Sequence, residues 1–313
     1  MSRCLFCYQK LADNEKDFHI SCSKKMFGQP VPPLLPYSEE DLEPLALEVI
    51  QSQTAVTGVQ AKLSLHITGN HKAGTEKRFT IVGLWGGYIL KPPIALYPQL
   101  PEVEDVTMHL AQSAKIKTAP HSLIRLTSGN LAYITKRIDR TNKGKLAMED
   151  MCQLTERLTE DKYHGSYEQI GKVIKKYSAT PGLDVVNFFE LVLFSFLTGN
   201  ADMHLKNFSL LEQPESGMTL SPAYDLVNTT LVNPADDEEL ALNLNGRKKK
   251  IKKQDFVAAM NTLQVEEKQQ QNIFNKMAGA MPKWFELIDN SFMSDVFKNR
   301  YKALITEKAK VIL

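Results

Sequence analysis

An aspartate followed five residues later by an asparagine, with a second aspartate further along the chain, is a set of side chains suited to handling a phosphate. The sequence carries the first pair at Asp202 and Asn207, within Thr198-Gly199-Asn200-Ala201-Asp202-Met203-His204-Leu205-Lys206-Asn207-Phe208, and the second aspartate at Asp225. This spacing is that of a phosphoryl-transfer loop, in which the aspartate orients or deprotonates an acceptor hydroxyl and the asparagine binds Mg²⁺. Asp225 closes Leu220-Ser221-Pro222-Ala223-Tyr224-Asp225, which reads as a short apolar strand ending in a carboxylate. Such a carboxylate suits the second ligand position, because Mg²⁺ takes one or two carboxylates together with substrate phosphates. A lone Asp-x₄-Asn match also arises by chance in solvated loops, so its partners decide what it means.

Four upstream features supply partners. The loop Thr54-Ala55-Val56-Thr57-Gly58-Val59-Gln60-Ala61-Lys62 is made of small residues and enters a strand, so its backbone N–H groups can approach phosphates closely; Thr57, Gly58, Val59 and Lys62 are its candidate nucleotide contacts. Lys91 closes the apolar stretch Tyr88-Ile89-Leu90, as expected of a lysine that neutralises the α- and β-phosphates. The alternative for either lysine is a snorkelling surface side chain. Glu102 and Glu104 open the next helix; one of them, with Glu104 preferred, can pair with Lys91, or both simply favour the helix N-terminus. Finally, the backbone of Tyr133-Ile134-Thr135-Lys136-Arg137-Ile138-Asp139, and of Lys136 and Ile138 in particular, can serve as an adenine-binding hinge. Their order along the chain is that of a kinase.

The elements that must hold these groups divide the chain in three. Residues 1–36 form a Cys/His-bearing opening and a linker, because Gln29-Pro30-Val31-Pro32-Pro33-Leu34-Leu35-Pro36 forbids helix. Residues 37–140 read as a β-rich lobe: residues 62–67, 79–82 and 88–90 alternate or run apolar, residues 103–115 suit a helix, and Ser128-Gly129-Asn130 marks a hairpin between 122–126 and 131–138. Residues 141–313 read as a larger helical lobe, with helices over 167–177, 184–197 and 253–262 and through most of 273–310. The expected class is therefore α+β, a two-lobed protein-kinase-like fold.

Composition narrows the setting. Of 313 residues 43% are hydrophobic and 24% charged, and the formal charge of +2 gives no global attraction to nucleic acid or anionic membrane. The longest apolar stretch, 183–197, is interrupted by Asp184, Asn187 and Glu190 and reads as a core helix rather than a membrane span. No secretory leader is visible, so a cytoplasmic setting is expected. Cys4 and Cys7, and His19 and Cys22, make two short pairs that fit a structural tetrahedral Zn²⁺; the alternative is a small apolar contact with Leu5, Phe6, Phe18 and Phe27. Cys152 reads as a core residue.

The basic run Arg247-Lys248-Lys249-Lys250-Ile251-Lys252-Lys253 opens a competing reading, a nucleic-acid-binding module with a zinc knuckle at residues 4–22. That reading leaves the catalytic-loop spacing unexplained, and the run lacks the interleaved aromatics that base stacking needs. An inactive pseudokinase regulator is disfavoured by the full set of charged residues.

Gly58-Val59-Gln60-Ala61-Lys62, Glu149-Asp150-Met151-Cys152-Gln153, Gly199-Asn200-Ala201-Asp202-Met203-His204-Leu205-Lys206-Asn207-Phe208-Ser209 and Pro222-Ala223-Tyr224-Asp225 together resemble the HipA family, over nearly everything after residue 37. The resemblance implies an ATP- and Mg²⁺-dependent serine/threonine kinase toxin acting on translation components, aminoacyl-tRNA synthetases among them, and restrained by antitoxins. It implies Asp202 as the acid/base residue, Asn207 and Asp225 as Mg²⁺ ligands, Lys91 as the phosphate-binding lysine, and His204 and Lys206 as residues that steady the loop or contact the transferring phosphate. In layout the chain is similar to the short HipT-type kinases, so a HipS-like small partner and a HipB-like DNA-binding antitoxin are expected beside the protein substrate. The family commonly carries an autophosphorylated serine in the small-residue loop. Here Ala55 and Thr57 occupy those positions, leaving Thr57 as either an acceptor or a turn residue.

Overall fold

Apolar side chains alternate along residues 63–68, so that Leu63 and Leu65 are buried while His66 is exposed, and the segment forms a sheet with one face on a core. The computed structural model describes residues 2–52, 61–69, 76–83, 85–141, 144–233 and 237–313. Thr57, Gly58 and Val59 of the small-residue loop lie outside these described residues. The chain divides into two compact units, one of residues 1–105, 119–138 and 290–292, the other of residues 106–118, 139–289 and 293–313.

In the first unit, strands β1 (Leu63–Thr68), β2 (Arg78–Ile81), β3 (Tyr88–Lys91), β4 (His121–Arg125) and β5 (Leu131–Lys136) make an antiparallel sheet of order β2-β1-β3-β5-β4. The β4–β5 turn is the one read from Ser128-Gly129-Asn130: Gly129 takes φ 95°, and the Leu126 N–H donates to the Asn130 carbonyl at 2.9 Å. Helices α1 (Ile20–Phe27) and α2 (Glu39–Ser52) precede the sheet, and α3 (Leu100–Ser113) starts in this unit.

The Cys/His opening does not stand apart from the sheet as the boundary at residue 36 implied. Leu5, Phe18, Met26 and Phe27 share one core with Leu65, Phe79, Leu90 and Leu123. The Leu5 carbonyl accepts from the Leu123 N–H at 3.3 Å and from the Ser122 hydroxyl at 3.1 Å. The reason is size: fewer than about 40 residues cannot cover that many apolar side chains alone.

Helix α3 opens Leu100-Pro101-Glu102, with proline in the first turn where no N–H is needed. Burial pushes the Glu102 carboxyl up to about 6, with the nearby Asp105 charge adding to it. A carboxyl raised in the folded state favours the protonated form. Its contribution to stability is therefore full below the ordinary carboxylate value near 4.5 and is lost as pH rises through 6. Glu102→Gln is expected to match the parent at pH 4 and to exceed it at pH 7 by about 1–2 kcal/mol. Urea unfolding at the two pH values measures this, and equal gains at both would contradict it.

In the second unit β6 (Arg140–Thr141) pairs with β7 (Gly144–Lys145), and β8 (Met148–Asp150), β9 (Ser209–Gln213) and β10 (Gly217–Leu220) form an antiparallel sheet of order β10-β9-β8. Helices α4 (Met151–Leu154), α5 (Tyr167–Tyr177), α6 (Pro181–Leu197), α7 (Thr229–Val232), α8 (Lys253–Thr262), α9 (Glu267–Asn290) and α10 (Asp295–Ile312) account for most of the rest. Ser166 and Gln169 cap α5 reciprocally, which fixes its start. Almost every side chain of α6 from Phe188 to Leu197 is buried, so the residues after it leave the core from a rigid base. Among the described residues no helix is long and apolar enough to cross a membrane.

Candidate active site

Helix α6 must end where its apolar run ends, and Gly199 turns the chain there in the left-handed conformation, φ 69°. A Cβ at this position would stand 2.9 Å from Asn228 Oδ1, so only glycine fits without a shift. The loop that follows is tied at several points. Asn200, fully buried, accepts the Asp202 N–H on Oδ1 at 3.2 Å; the Ala201 N–H donates to Thr229 Oγ1 at 2.8 Å; and the Tyr167 hydroxyl donates to the Met203 carbonyl at 3.1 Å. A 3₁₀ turn over Leu205–Asn207 then delivers the chain into β9.

Asp202 and Asn207 are brought together within this loop. Asn207 Nδ2 donates to the main-chain carbonyl of Asp202 at 2.9 Å, and Asn207 is buried. Spending the amide nitrogen on backbone leaves Oδ1 as a hard oxygen donor. The Asp202 carboxylate is half-buried and accepts the Tyr163 hydroxyl on Oδ1 at 2.7 Å. His204 is buried and meets the Tyr163 ring edge to face, with centroids 5.1 Å apart. It therefore braces Tyr163 from inside the loop. Lys206 reaches back to the Asp150 carboxylate at 2.7 Å, and Asp150 also caps α4, so this ion pair links the 3₁₀ turn to the end of β8.

Asp225 departs from the strand expected for it. β10 stops at Leu220, and Pro222, which has no N–H, cannot continue a ladder. The Ala223 N–H instead donates to the Lys117 carbonyl at 2.8 Å, and Asp225 sits on a turn with φ 61°, unusual for a residue with a side chain. Tyr224 pins that turn to the loop around Asp202: its hydroxyl lies 3.0 Å from the Lys206 carbonyl and 2.5 Å from Ser209 Oγ. An amide oxygen at 207 and a carboxylate at 225 on a turn tied to the same loop are the donor types that fit Mg²⁺.

The first unit holds the other candidate set. Lys91 Nζ lies 2.5 Å from Glu104 Oε1, with side-chain exposures of 4% and 1%. The lysine is also 5.4 Å from the centre of the Tyr133 ring. Of the two acids at the head of α3, Glu104 makes the pair. Lys62 is exposed just before β1. At the hinge position the N–H groups of Lys136 and Arg137 donate to the carbonyls of Pro120 and Gly87, at 2.8 and 2.9 Å. Ile138 spends neither its N–H nor its carbonyl on a backbone hydrogen bond among the described residues, and so has both groups to offer a base.

Cys4, Cys7, His19 and Cys22 also come together, with their donor atoms within 4.8 Å of one another. The basic run near 250 is not a bare cationic patch: Lys248 and Lys249 pair with Glu238 and Asp237, at 3.4 and 2.5 Å, and Ile251 is buried. Tyr163, Asp150 and Tyr224 carry contacts that spacing along the chain does not announce; the partner of each is folded against it from 15 to 56 residues away.

Residues 54–285 match the model of the HipA-like C-terminal domain. A Sinorhizobium fredii protein named "Putative kinase Y4dM" is 34% identical over 207 residues, covering 62% of this chain and 49% of that protein. The Shewanella oneidensis "Serine/threonine-protein kinase toxin HipA" is 27% identical over 214 residues, covering 61% of this chain and 46% of that one. The chain thus spans about half the length of these relatives. HipA from Shewanella oneidensis, solved in a complex with HipB and its operator DNA, superposes with a TM-score of 0.70 at 23% identity, over 85% of this chain and 70% of that one. At that identity the likeness establishes a shared kinase-like fold.

Proposed function

The chain belongs to the HipA-like C-terminal domain family, and from that premise we propose that it is an ATP- and Mg²⁺-dependent serine/threonine protein kinase and the toxin of a toxin–antitoxin system. The observation that supports this reading is the Asp202–Asn207 arrangement: the asparagine nitrogen is committed to the aspartate's own carbonyl, which leaves an amide oxygen and a carboxylate, one suited to ligate and one to accept a proton, in a single loop. In this mechanism Asp202 accepts the proton of the acceptor hydroxyl as the phosphoryl group is transferred. Tyr163 holds the carboxylate in one orientation, and His204 holds Tyr163. Asn207 and Asp225 would hold Mg²⁺, which supplies charge neutralisation at the phosphates. Lys91, aimed by Glu104, receives the nucleotide's phosphates, and the Ile138 backbone receives its base. Lys206 acts through its pair with Asp150 as a residue that steadies the loop.

The substrate we propose is a serine or threonine of a translation-related protein, an aminoacyl-tRNA synthetase being the class implied by the family resemblance, with HipS-like and HipB-like proteins as the restraining partners. Incubating the chain with γ-labelled ATP, Mg²⁺ and a bacterial lysate tests this. Label is expected on one dominant protein band, and absence of any transferred label would overturn the reading. Tyr163→Phe refines it. Removing a hydrogen bond to a charged group is worth about 1.5 kcal/mol, so kcat is expected to fall roughly tenfold with the KM for ATP unchanged. A rise in KM alone would assign Tyr163 to substrate binding instead.

A further inference from the structure

We infer that Cys4, Cys7, His19 and Cys22 hold one tetrahedral Zn²⁺ that fastens the first 28 residues to the sheet of the first unit, an assignment independent of the kinase reading. Backbone and side chains both converge on it. Residues 3–10 form a tight hairpin, with an antiparallel bridge between Arg3 and Lys10, the Cys4 N–H on the Gln9 carbonyl and the Tyr8 N–H on the Cys4 carbonyl, each at 2.9 Å. Closing that hairpin forces Tyr8, directly after Cys7, to φ 63°, a conformation that costs an aromatic residue about 1–2 kcal/mol and persists where something over-determines it. The two hairpin thiols thereby face the start of α1, where His19 precedes the first turn and Cys22 lies within it.

The distances suit one small ion. His19 Nδ1 stands 3.4 Å from Cys7 Sγ and 3.7 Å from Cys22 Sγ, and all four donor atoms lie within 4.8 Å of one another. In a tetrahedral site with Zn–S and Zn–N bonds of normal length, nitrogen and sulfur ligands are separated by about 3.6 Å. The rest of the imidazole is arranged for ligation too. Nε2 lies 3.1 Å from the Lys10 carbonyl and 3.8 Å from the Glu15 carboxylate, so it carries the proton and presents Nδ1 unprotonated to the sulfurs. A histidine merely packed among apolar neighbours has no reason to aim a ring nitrogen at two sulfurs while its other nitrogen is satisfied by backbone. The cysteines are free thiols, so no disulfide competes for them. Three thiolates and an imidazole select Zn²⁺ over hard cations, and four protein ligands close the site to water, which makes it structural.

The site sits where it can brace the unit. Leu5, between the two hairpin cysteines, accepts from Ser122 and Leu123 on β4; Asp17, two residues before His19, accepts on Oδ1 from Arg125 Nη2 and Nε at 2.8 and 3.1 Å; and Tyr8 donates to Asp105 on α3 at 2.6 Å. The full chain without a tag, purified without chelator, is expected to contain about one zinc by elemental analysis. Titration with a mercurial should release that zinc as three thiols react. Reconstitution with Co²⁺ should give thiolate charge-transfer and tetrahedral d–d absorption, and stripping the metal should raise amide hydrogen exchange at Leu123 at least tenfold. Cys22→Ser should lose the metal, whereas Cys152→Ser should keep it. If Cys22→Ser does not fold, the wild-type metal content and cobalt spectrum still decide. A folded, metal-free wild-type chain whose thiols all react at once overturns the assignment, as does a Co²⁺ spectrum without thiolate charge transfer.

Discussion

Asp202→Asn is expected to leave the protein folded and ATP-binding while lowering phosphate transfer by at least about 10²-fold. The size follows from the role: a positioned general base contributes about 10²–10⁴ in rate. The structure predicts that little else changes. The Asn207 bond goes to the main-chain oxygen of residue 202, the Asn200 bond to its N–H, and an asparagine oxygen still accepts from Tyr163. The side chain is half-buried and the substitution is isosteric, so stability should shift by no more than about 0.5 kcal/mol. Labelled-ATP transfer assays, with nucleotide affinity measured separately, make the comparison. Transfer at the parent rate would remove Asp202 from the chemistry. Transfer lost together with ATP binding would mean that the residue organises the nucleotide site instead.

The contrast between loop and turn explains what could be read in advance. The loop around Asp202 was legible because its constraints are local: a buried helix, a glycine to leave it, and a fixed five-residue interval that lets Asn207 return to the aspartate's carbonyl. Likewise α5 and α8 coincide with the helices expected over residues 167–177 and 253–262, and Gly129 marks its hairpin. Asp225 was misplaced onto a strand because Leu220 to Tyr224 is apolar enough to extend one; the proline and the long-range bond from Ala223 to Lys117 decide otherwise. Helix α2 runs through Pro44, where local rules place a break, so its continuity depends on more than local sequence. Nor does any spacing announce that Tyr163 will meet Asp202, or Tyr8 Asp105, across 39 and 97 residues. Local chemistry sets the donors and acceptors, but which ones meet at that distance is decided by packing of the core.

The Lys91–Glu104 pair separates stability from function. Both side chains are nearly sealed from solvent, at 4% and 1% exposure, and in contact at 2.5 Å. Glu104→Ala removes the carboxylate that faces a buried ammonium, and is expected to cost about 3–5 kcal/mol, a large part of what a domain of this kind has. Replacing both partners by apolar residues of similar size removes the buried charge itself. Lys91→Met combined with Glu104→Leu should accordingly recover most of that loss, since well-packed apolar substitutes for a buried ion pair are often neutral or stabilising. Phosphate transfer should not recover, because the lysine proposed to meet the α- and β-phosphates is gone. Urea unfolding and labelled-ATP transfer on the single and double variants give the two readouts. If the double variant is stable and still transfers phosphate, the pair is only structural and Lys91 has no part in binding ATP. If it is stable and inactive while Asp202→Asn still binds nucleotide, the two residues divide the work as proposed: binding by the lysine, proton transfer by the aspartate.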